Sequence, residues 1–476
     1  MSATRRGVTA VCGLAGCVLV AVSSVGGLTA AAGAVGAVRA VGPDDWPAYL
    51  AGPAHTSDNR AQVAITPGNA GSLARKWHFV GDPPTQPGQP RPAFDASPTV
   101  ADGAVFIGSR TGWFYKLDEH TGKMLAKVFF GFQPHLTCTA RGLIATATVA
   151  KDPADGQDTV YVGAPDGYLY ALRVSNLSRK WRSPIAIPSA TVSNYFQWSS
   201  PTVSNGRIYI GVSSHCDDPL VRGGVIGYRQ GTGKIIARYY DVPEGVVGGS
   251  VWSSVAAGRR YVFASTGNGV DGATHPYDTV SVVELRARNL ARVAAFRPPP
   301  SQQLFDADFG ASPARFGSLV GACNKNGIFY AMHVPSMRLA WERRVAISPG
   351  NTKRPQCLAS SAYDGKFLYI AAASTVIGGK TYHGSVRRLD PATGKVLWQT
   401  GLPNRVLGSP SLDGAGVIAL ATNGATATPN AVYLVSARTG HILRTLITGS
   451  KDFAQSTFAG GRLFTANGNG VYAWGP

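Results

Sequence analysis

Short apolar runs alternate with Gly, Asp and Asn along most of the chain, and the alternation itself repeats. The clearest unit starts at Ser97 and reads SPTV, ADG, AVFIGS, RTG, WFYKLD, EHTGK, MLAKV. It consists of a small polar start, an apolar strand, a Gly turn, a second strand ending in small residues, an aromatic third strand, a T-G-K turn and a fourth strand. Further copies start at Thr146, Ser200, Ser253, Ser312, Ser360 and Ser409, and a partial one at Ser456, at spacings of 47 to 59 residues. Period-two alternation, as in VYVGAPDGYLYAL, makes each copy a four-stranded antiparallel unit. Such a unit cannot bury both faces alone, so eight of them predict an all-β, eight-bladed β-propeller whose edges stay short and protected. The final copy, STFAGGRLFTANGNGVYAWG, lacks a fourth strand. The segment LARKWHFV, from Leu73 to Val80, resembles the fourth strands LSRKW, MRLAW and GKVLW. It is predicted to complete the last blade and close the ring. A row of small sandwiches would instead require Pro- or Ser-rich linkers between copies, whereas the copies run on continuously.

Composition narrows the classes. With 58 Gly, 31 Pro and only 15% charged residues among 476, long helices, disorder and collagen are excluded. Residues 1–40 read as an export signal or N-terminal anchor, because Arg5 and Arg6 precede an uncharged stretch from Gly7 to Val38. Small residues around Ala30 to Ala37 offer cleavage sites, LAGC ending at Cys17 has the form of a lipoprotein box, and the uncharged run is long enough to cross a bilayer if retained. The protein is therefore expected to be secreted, periplasmic or at the cell surface, with residues 41–476 forming a single propeller. Four cysteines remain outside the signal, without a CxxC pair. In an exported chain they favour disulfides over zinc. Of three possible pairings, Cys138 with Cys216 and Cys323 with Cys357 is the expected one. The net charge of +19 suits an anionic ligand or surface, but the basic residues are scattered without aromatic interleaving, which excludes a nucleic-acid groove. No P-loop, HExxH or GxSxG is present. His215 and His275 each stand alone and read as loop residues rather than ligands.

YKLDEHTGKMLA and RRLDPATGKVLW resemble the tryptophan-docking motif of pyrroloquinoline quinone (PQQ) propellers, over roughly residues 46 to 476. Three segments sharpen the likeness to quinoprotein alcohol dehydrogenases and their polyvinyl-alcohol dehydrogenase relatives. GGSVWSS (248–254) with ASTGNG (264–269) resembles the segment that places a Trp under the quinone and an Asn on its calcium ion. FDADFGASP (305–313) resembles the segment of the catalytic Asp, and CNKNGIFYAM (323–332) the one whose Lys reaches the quinone carbonyls. The resemblance implies an exported PQQ- and calcium-dependent dehydrogenase that oxidises an alcohol or polyol-like substrate.

The residue types suit that chemistry. Trp252 offers stacking area, and Lys325 offers a point charge for a reducing quinone. Asp308, with Asp306 as near competitor, offers a general base for the hydroxyl proton. Asn268, Asp308 and Asp217 are the implied metal ligands, an oxygen set suited to calcium. Ser250, Ser213, Asn326 and Arg141 are the implied further cofactor contacts. The sequence departs from the family pattern where Cys216 stands near an expected metal-binding Glu, so that Asp217 or Asp218 must substitute. An adjacent cysteine pair is also missing, since LTCTARG (136–142) keeps one Cys. No CxxCH haem site is present, so electrons must pass to an external acceptor such as a cytochrome. Propellers of this type also include non-enzymatic assembly lipoproteins, so a cell-surface binding or assembly scaffold is the alternative.

Overall fold

A computed structural model describes residues 41–134, 137–270, 277–348, 356–424 and 426–476. The expected export segment 1–40 and His275 lie outside the described residues. Eight sheets of four antiparallel strands follow one another, the seventh extended by a parallel pairing with Asp58–Asn59, and no α-helix occurs among the described residues. Blade 1 comprises Thr99–Ala101, Ala104–Gly108, Trp113–Asp118 and Met124–Phe129. Blades 2 to 7 span 148–184, 202–240, 256–296, 314–344, 362–402 and 411–447. Blade 6 carries an extra hairpin, Thr375–Ile377 with Lys380–Tyr382. Blade 8 takes three strands from 457–475, and its outermost strand is Ala74–Phe79, paired antiparallel with Gly470–Gly475. The ring therefore closes through the N-terminal strand, as the sequence predicts.

Each blade buries its apolar faces against its two neighbours. The cluster between blades 8 and 1, for example, joins Val105, Ile107 and Leu117 to Leu463, Phe464 and Val471. The T-G-K turns act as sockets. Asp118 Oδ1 accepts from the Thr121 amide at 2.7 Å and Oγ1 at 2.7 Å, which sets up the left-handed turn at Gly122. A Cβ on Gly122 would lie 2.7 Å from the Trp77 ring, so only glycine admits the indole there. Trp77 Nε1 then donates to Glu119 O at 3.0 Å. Trp341 and Trp398 dock the same way, onto Gly394 with Pro391 O and onto Gly440 with Ala437 O. One motif thus supplies packing area and an indole partner at three blade junctions.

A strap of residues 46–59 winds around the axis at one end. Its carbonyls accept successive inner-strand amides: Val100 on Trp46, Val149 on Pro47, Ala257 on Pro53, Arg315 on Ala54, Tyr363 on Thr56 and Leu412 on Ser57, at 2.7–3.0 Å. Asn59 Nδ2 reaches Phe458 O of blade 8 at 2.9 Å. Leu50, Ala51, His55 and Ser57 take φ between 52° and 67°, a conformation costly for side-chain-bearing residues and held here by that series of hydrogen bonds. The strap had no counterpart in the repeat pattern.

Candidate quinone site on the propeller axis

A ring of hydroxyls surrounds the axis above the strap. The amide of Ser97 donates to Thr146 Oγ1, Thr146 to Ser200, Ser200 to Ser254, Ser254 to Ser312, Ser312 to Ser360 and Ser360 to Ser409, at 2.8–3.0 Å. Gln455 stands at the eighth position, its amide donating to Ser97 Oγ at 2.9 Å. Two copies thus start one residue away from the expected places: Ser254 rather than Ser253 is the ring member, and Gln455 rather than Ser456. Tyr49 enters from the strap, with its hydroxyl 3.3 Å from Ser409 Oγ.

The residue two places before each ring member faces the axis above it. Asp95, Ile144, Trp198 and Trp252 come from blades 1 to 4, and Gly310, Leu358, Leu407 and Phe453 from blades 5 to 8. All line a cavity of about 220 Å3 floored by Tyr49. Six of these eight are apolar or aromatic side chains. Gly310 lacks a side chain because Trp252 fills its place: a Cβ there would lie 2.3 Å from Trp252 Cη2 and 2.4 Å from Leu358 Cδ2.

Trp198 and Trp252 also line a second cavity of about 210 Å3, together with Ser214, Cys216, Asp217, Ser250, Asp308 and Lys325. Here the chemistry converges. Lys325 Nζ lies 2.6 Å from Asp308 Oδ1 and 2.8 Å from Asp306 Oδ1, and 5.5 Å from the Trp252 ring centroid. Trp252 Nε1 donates to Asp308 Oδ2 at 2.9 Å. Asn268 Nδ2 donates to Asp306 Oδ1 at 2.7 Å, while the buried Asn268 Oδ1 has no hydrogen-bond partner. Burial raises the Asp308 pKa, and the Lys325 ammonium offsets this only in part. Burial works against the Lys325 charge, but Asp308 and Asp306 outweigh it and hold the ammonium above its ordinary range. Asp306 itself sits at φ 55°, a strained conformation of the kind that gathers at functional sites.

Trp252, Asp308, Asp306, Lys325, Asn268 and Ser250 thus come together. Ser250 Oγ lies 2.9 Å from Ser214 Oγ. The other expected positions do not join this cluster. Ser213 donates to Phe196 O at 2.8 Å and is turned from the cavity, which its neighbour Ser214 lines instead. Asn326 is a turn residue of blade 5, donating to Gln302 O and Tyr330 Oη. Arg141 borders the axial cavity, 3.5 Å from Asp95 and 5.1 Å from the Trp198 ring. Asp217 lines the same cavity but is exposed and accepts from Ser214 Oγ, and Asp218 accepts from Thr137 at 2.6 Å. Among the described residues the three-ligand grouping of metal-site size is Cys138, His215 and Cys216. Cys138 and Cys216 are joined in a disulfide, as are Cys323 and Cys357, and His215 is buried in a stack on Phe196 with centroids 4.6 Å apart. Trp198 escaped the sequence reading although FQWSS (196–200) repeats the SVWSS of Trp252. A larger opening of about 550 Å3 lies beside the strap, but its Asp58 and Arg60 are paired with each other at 2.8 Å.

Two indoles, an ammonium and hydroxyls facing one cavity fit a flat anionic quinone, and Gly310 leaves the space that lets Trp252 lie across the axis. The oxygen set for a divalent ion is less complete: the Asp306 and Asp308 oxygens that face Lys325 are engaged by its ammonium, and Asp217 does not join them in a metal-sized group.

Known proteins are similar to this chain in sequence or fold. A family model for PQQ-type repeats, described as outer membrane protein assembly factor BamB, matches residues 61–289 and 325–473. The chain belongs to this family. Asp306 and Asp308 lie in the stretch between the two matched segments. Quinohemoprotein alcohol dehydrogenase ADH-IIG of Pseudomonas putida is 28% identical over 179 residues, 38% of this chain and 23% of that protein. The matched part thus spans about a quarter of that relative's length. A europium-containing methanol dehydrogenase superposes with a TM-score of 0.70 at 14% identity, covering 90% of this chain and 91% of that one. BamB from Moraxella catarrhalis superposes at 0.55 with 14% identity, covering 85% and 98%. The chain is a PQQ-like propeller resembling the quinoprotein alcohol dehydrogenases. Among the described residues no helix is long and apolar enough to cross a membrane.

Proposed function

We propose that this propeller is an exported PQQ-dependent dehydrogenase that oxidises an alcohol. The observation that carries this reading is the Trp252–Asp308–Lys325 cluster around the buried Asp308 carboxylate, which joins a stacking surface, a base and a cation at one cavity beside the axis. Trp252 and Trp198 supply apolar, planar walls for the cofactor. Lys325 places a fixed positive charge where negative charge develops. When bound, PQQ supplies the two-electron acceptor for the carbinol hydrogen. Asp308 accepts the hydroxyl proton; burial raises its basicity, and Lys325 opposes that rise in part. The electrons pass on to an external acceptor. Ile144, Leu358, Leu407 and Phe453 on the adjoining axial cavity favour an alcohol with an apolar body over a polyol. The two disulfides fit an oxidising, extracytoplasmic compartment.

The second reading, a non-catalytic binding or assembly scaffold, is favoured by the description of the matching family model and by the likeness to BamB. Dye-linked oxidation of 1-hexanol and glycerol by purified protein, with and without PQQ, separates the two. The dehydrogenase reading expects PQQ-dependent turnover of hexanol above glycerol. The scaffold reading expects no turnover of either and no stoichiometric PQQ uptake.

A further inference from the structure

The two carboxylates of the site already hold a cation that belongs to the chain. Lys325 Nζ bridges Asp306 Oδ1 and Asp308 Oδ1 at 2.8 and 2.6 Å, with its side chain only 13% exposed and that of Asp308 2%. Two other donors complete the network. Asn268 Nδ2 takes Asp306 Oδ1, and Trp252 Nε1 takes Asp308 Oδ2. Asn268 Oδ1 remains as a buried oxygen without a hydrogen-bond partner. A calcium ion requires about six to eight oxygens at about 2.3–2.6 Å, and these residues cannot supply them while the ammonium is in place. The position where a further carboxylate was expected is Cys216, tied to Cys138. Asp217 points to Ser214 instead.

We propose that the Lys325 ammonium is the resident cation of this site and takes the electrostatic place of a divalent ion, so that calcium binds only weakly. A divalent ion must displace the ammonium from both carboxylates, and a displaced ammonium beside a bound dication is a like-charge contact in a buried place. Removing the lysine charge reverses the balance. Two neighbouring carboxylates, Asp308 buried and Asp306 34% exposed, repel each other without a counter-ion, and a hard cation joined to them and to Asn268 Oδ1 relieves that repulsion. The inference adds to the quinone reading the nature of its cation, but its test needs neither quinone nor turnover.

The full-length protein, dialysed against EDTA and then against chelator-free buffer, is titrated with Ca2+ by calorimetry. Wild type is expected to show no site tighter than millimolar. K325M, which keeps the length of the stem, is expected to bind one Ca2+ at least tenfold more tightly, and K325M/D308N to lose that site. Micromolar, one-to-one binding by wild type that D308N abolishes overturns the proposal. So does a K325M protein with native circular dichroism and no gain in affinity. If K325M does not fold, the wild-type and D308N titrations decide alone. Failure of wild type to bind PQQ would count against the proposed function and leave the calcium result standing.

Discussion

Glu284, on the strand Val282–Arg286 of blade 4, is fully buried, and neither carboxylate oxygen has a hydrogen-bond partner. Burial pushes its pKa up to about 7, against a partial counter-effect from Arg315. With the folded value raised, the unfolded chain gives up its proton first as pH rises from about 4.5, so stability falls across the window up to about 7 and then levels. Replacing it by an isosteric amide, Glu284→Gln, is expected to stabilise the protein by about 3 kcal/mol at pH 8 and by little at pH 4. Thermal melts of both proteins at the two pH values check this, and a pH-independent difference would contradict it. The same alternation that hides a carboxylate in a strand also limits what a sequence reveals about a site. Trp252, Asp308 and Lys325 were legible because each sits in a segment with its own motif. Ser213 was chosen where Ser214 faces the cavity, and Ser253 where Ser254 joins the hydroxyl ring. In both cases a shift of one residue turns the side chain to the other face, and the phase is lost where a strand runs into a loop. Asn326 was misplaced for a related reason: NKNG is a turn in which alternate residues point to the cavity and to blade 5.

Each blade begins with the same short inner segment, and its eightfold repetition builds both the hydroxyl ring and the apolar tier. Asp95 and Gly310 are the two exceptions that make the tier asymmetric, and a methyl group tests the purpose of the glycine. Gly310→Ala should force Trp252 and Leu358 apart and cost about 1–3 kcal/mol by overpacking. PQQ affinity should fall by more than the stability loss explains, read as fluorescence quenching on fully folded protein; unchanged affinity would separate the indole from the cofactor. The disulfide between Cys138 and Cys216 joins the loop after blade 1 to the loop between the second and third strands of blade 3, across 78 residues. Peptide mapping without reductant should recover that pair, and the double Ser variant should lose about 2–5 kcal/mol in denaturant unfolding. A loss well below that range would mean that the loops are held by their other contacts.

The ring is closed twice, by the strand Ala74–Phe79 in blade 8 and by the strap that visits seven blades. The first closure was readable because LARKWHFV repeats a fourth-strand pattern. The second was not, because a strap held by its carbonyls leaves no periodicity and depends on left-handed residues such as Leu50 and His55. Deleting residues 41–60 removes six backbone acceptors, each contributing about 0.5–1.5 kcal/mol. The truncated chain should keep its β-sheet circular dichroism while its melting temperature drops and the axial cavity loses the Tyr49 floor. An unchanged melting temperature would show the strap to be ornamental to stability. The central claim concerns what the assembled ring holds at its axis, and one comparison addresses it most directly: wild type and Asp308→Asn, each titrated with PQQ and then mixed with 1-hexanol in a single-turnover absorbance measurement. Equal PQQ affinity for both, with quinone reduction slowed about a hundredfold to ten-thousandfold in the variant, is the predicted result. Equal reduction rates, or failure of wild type to bind PQQ, would contradict the account.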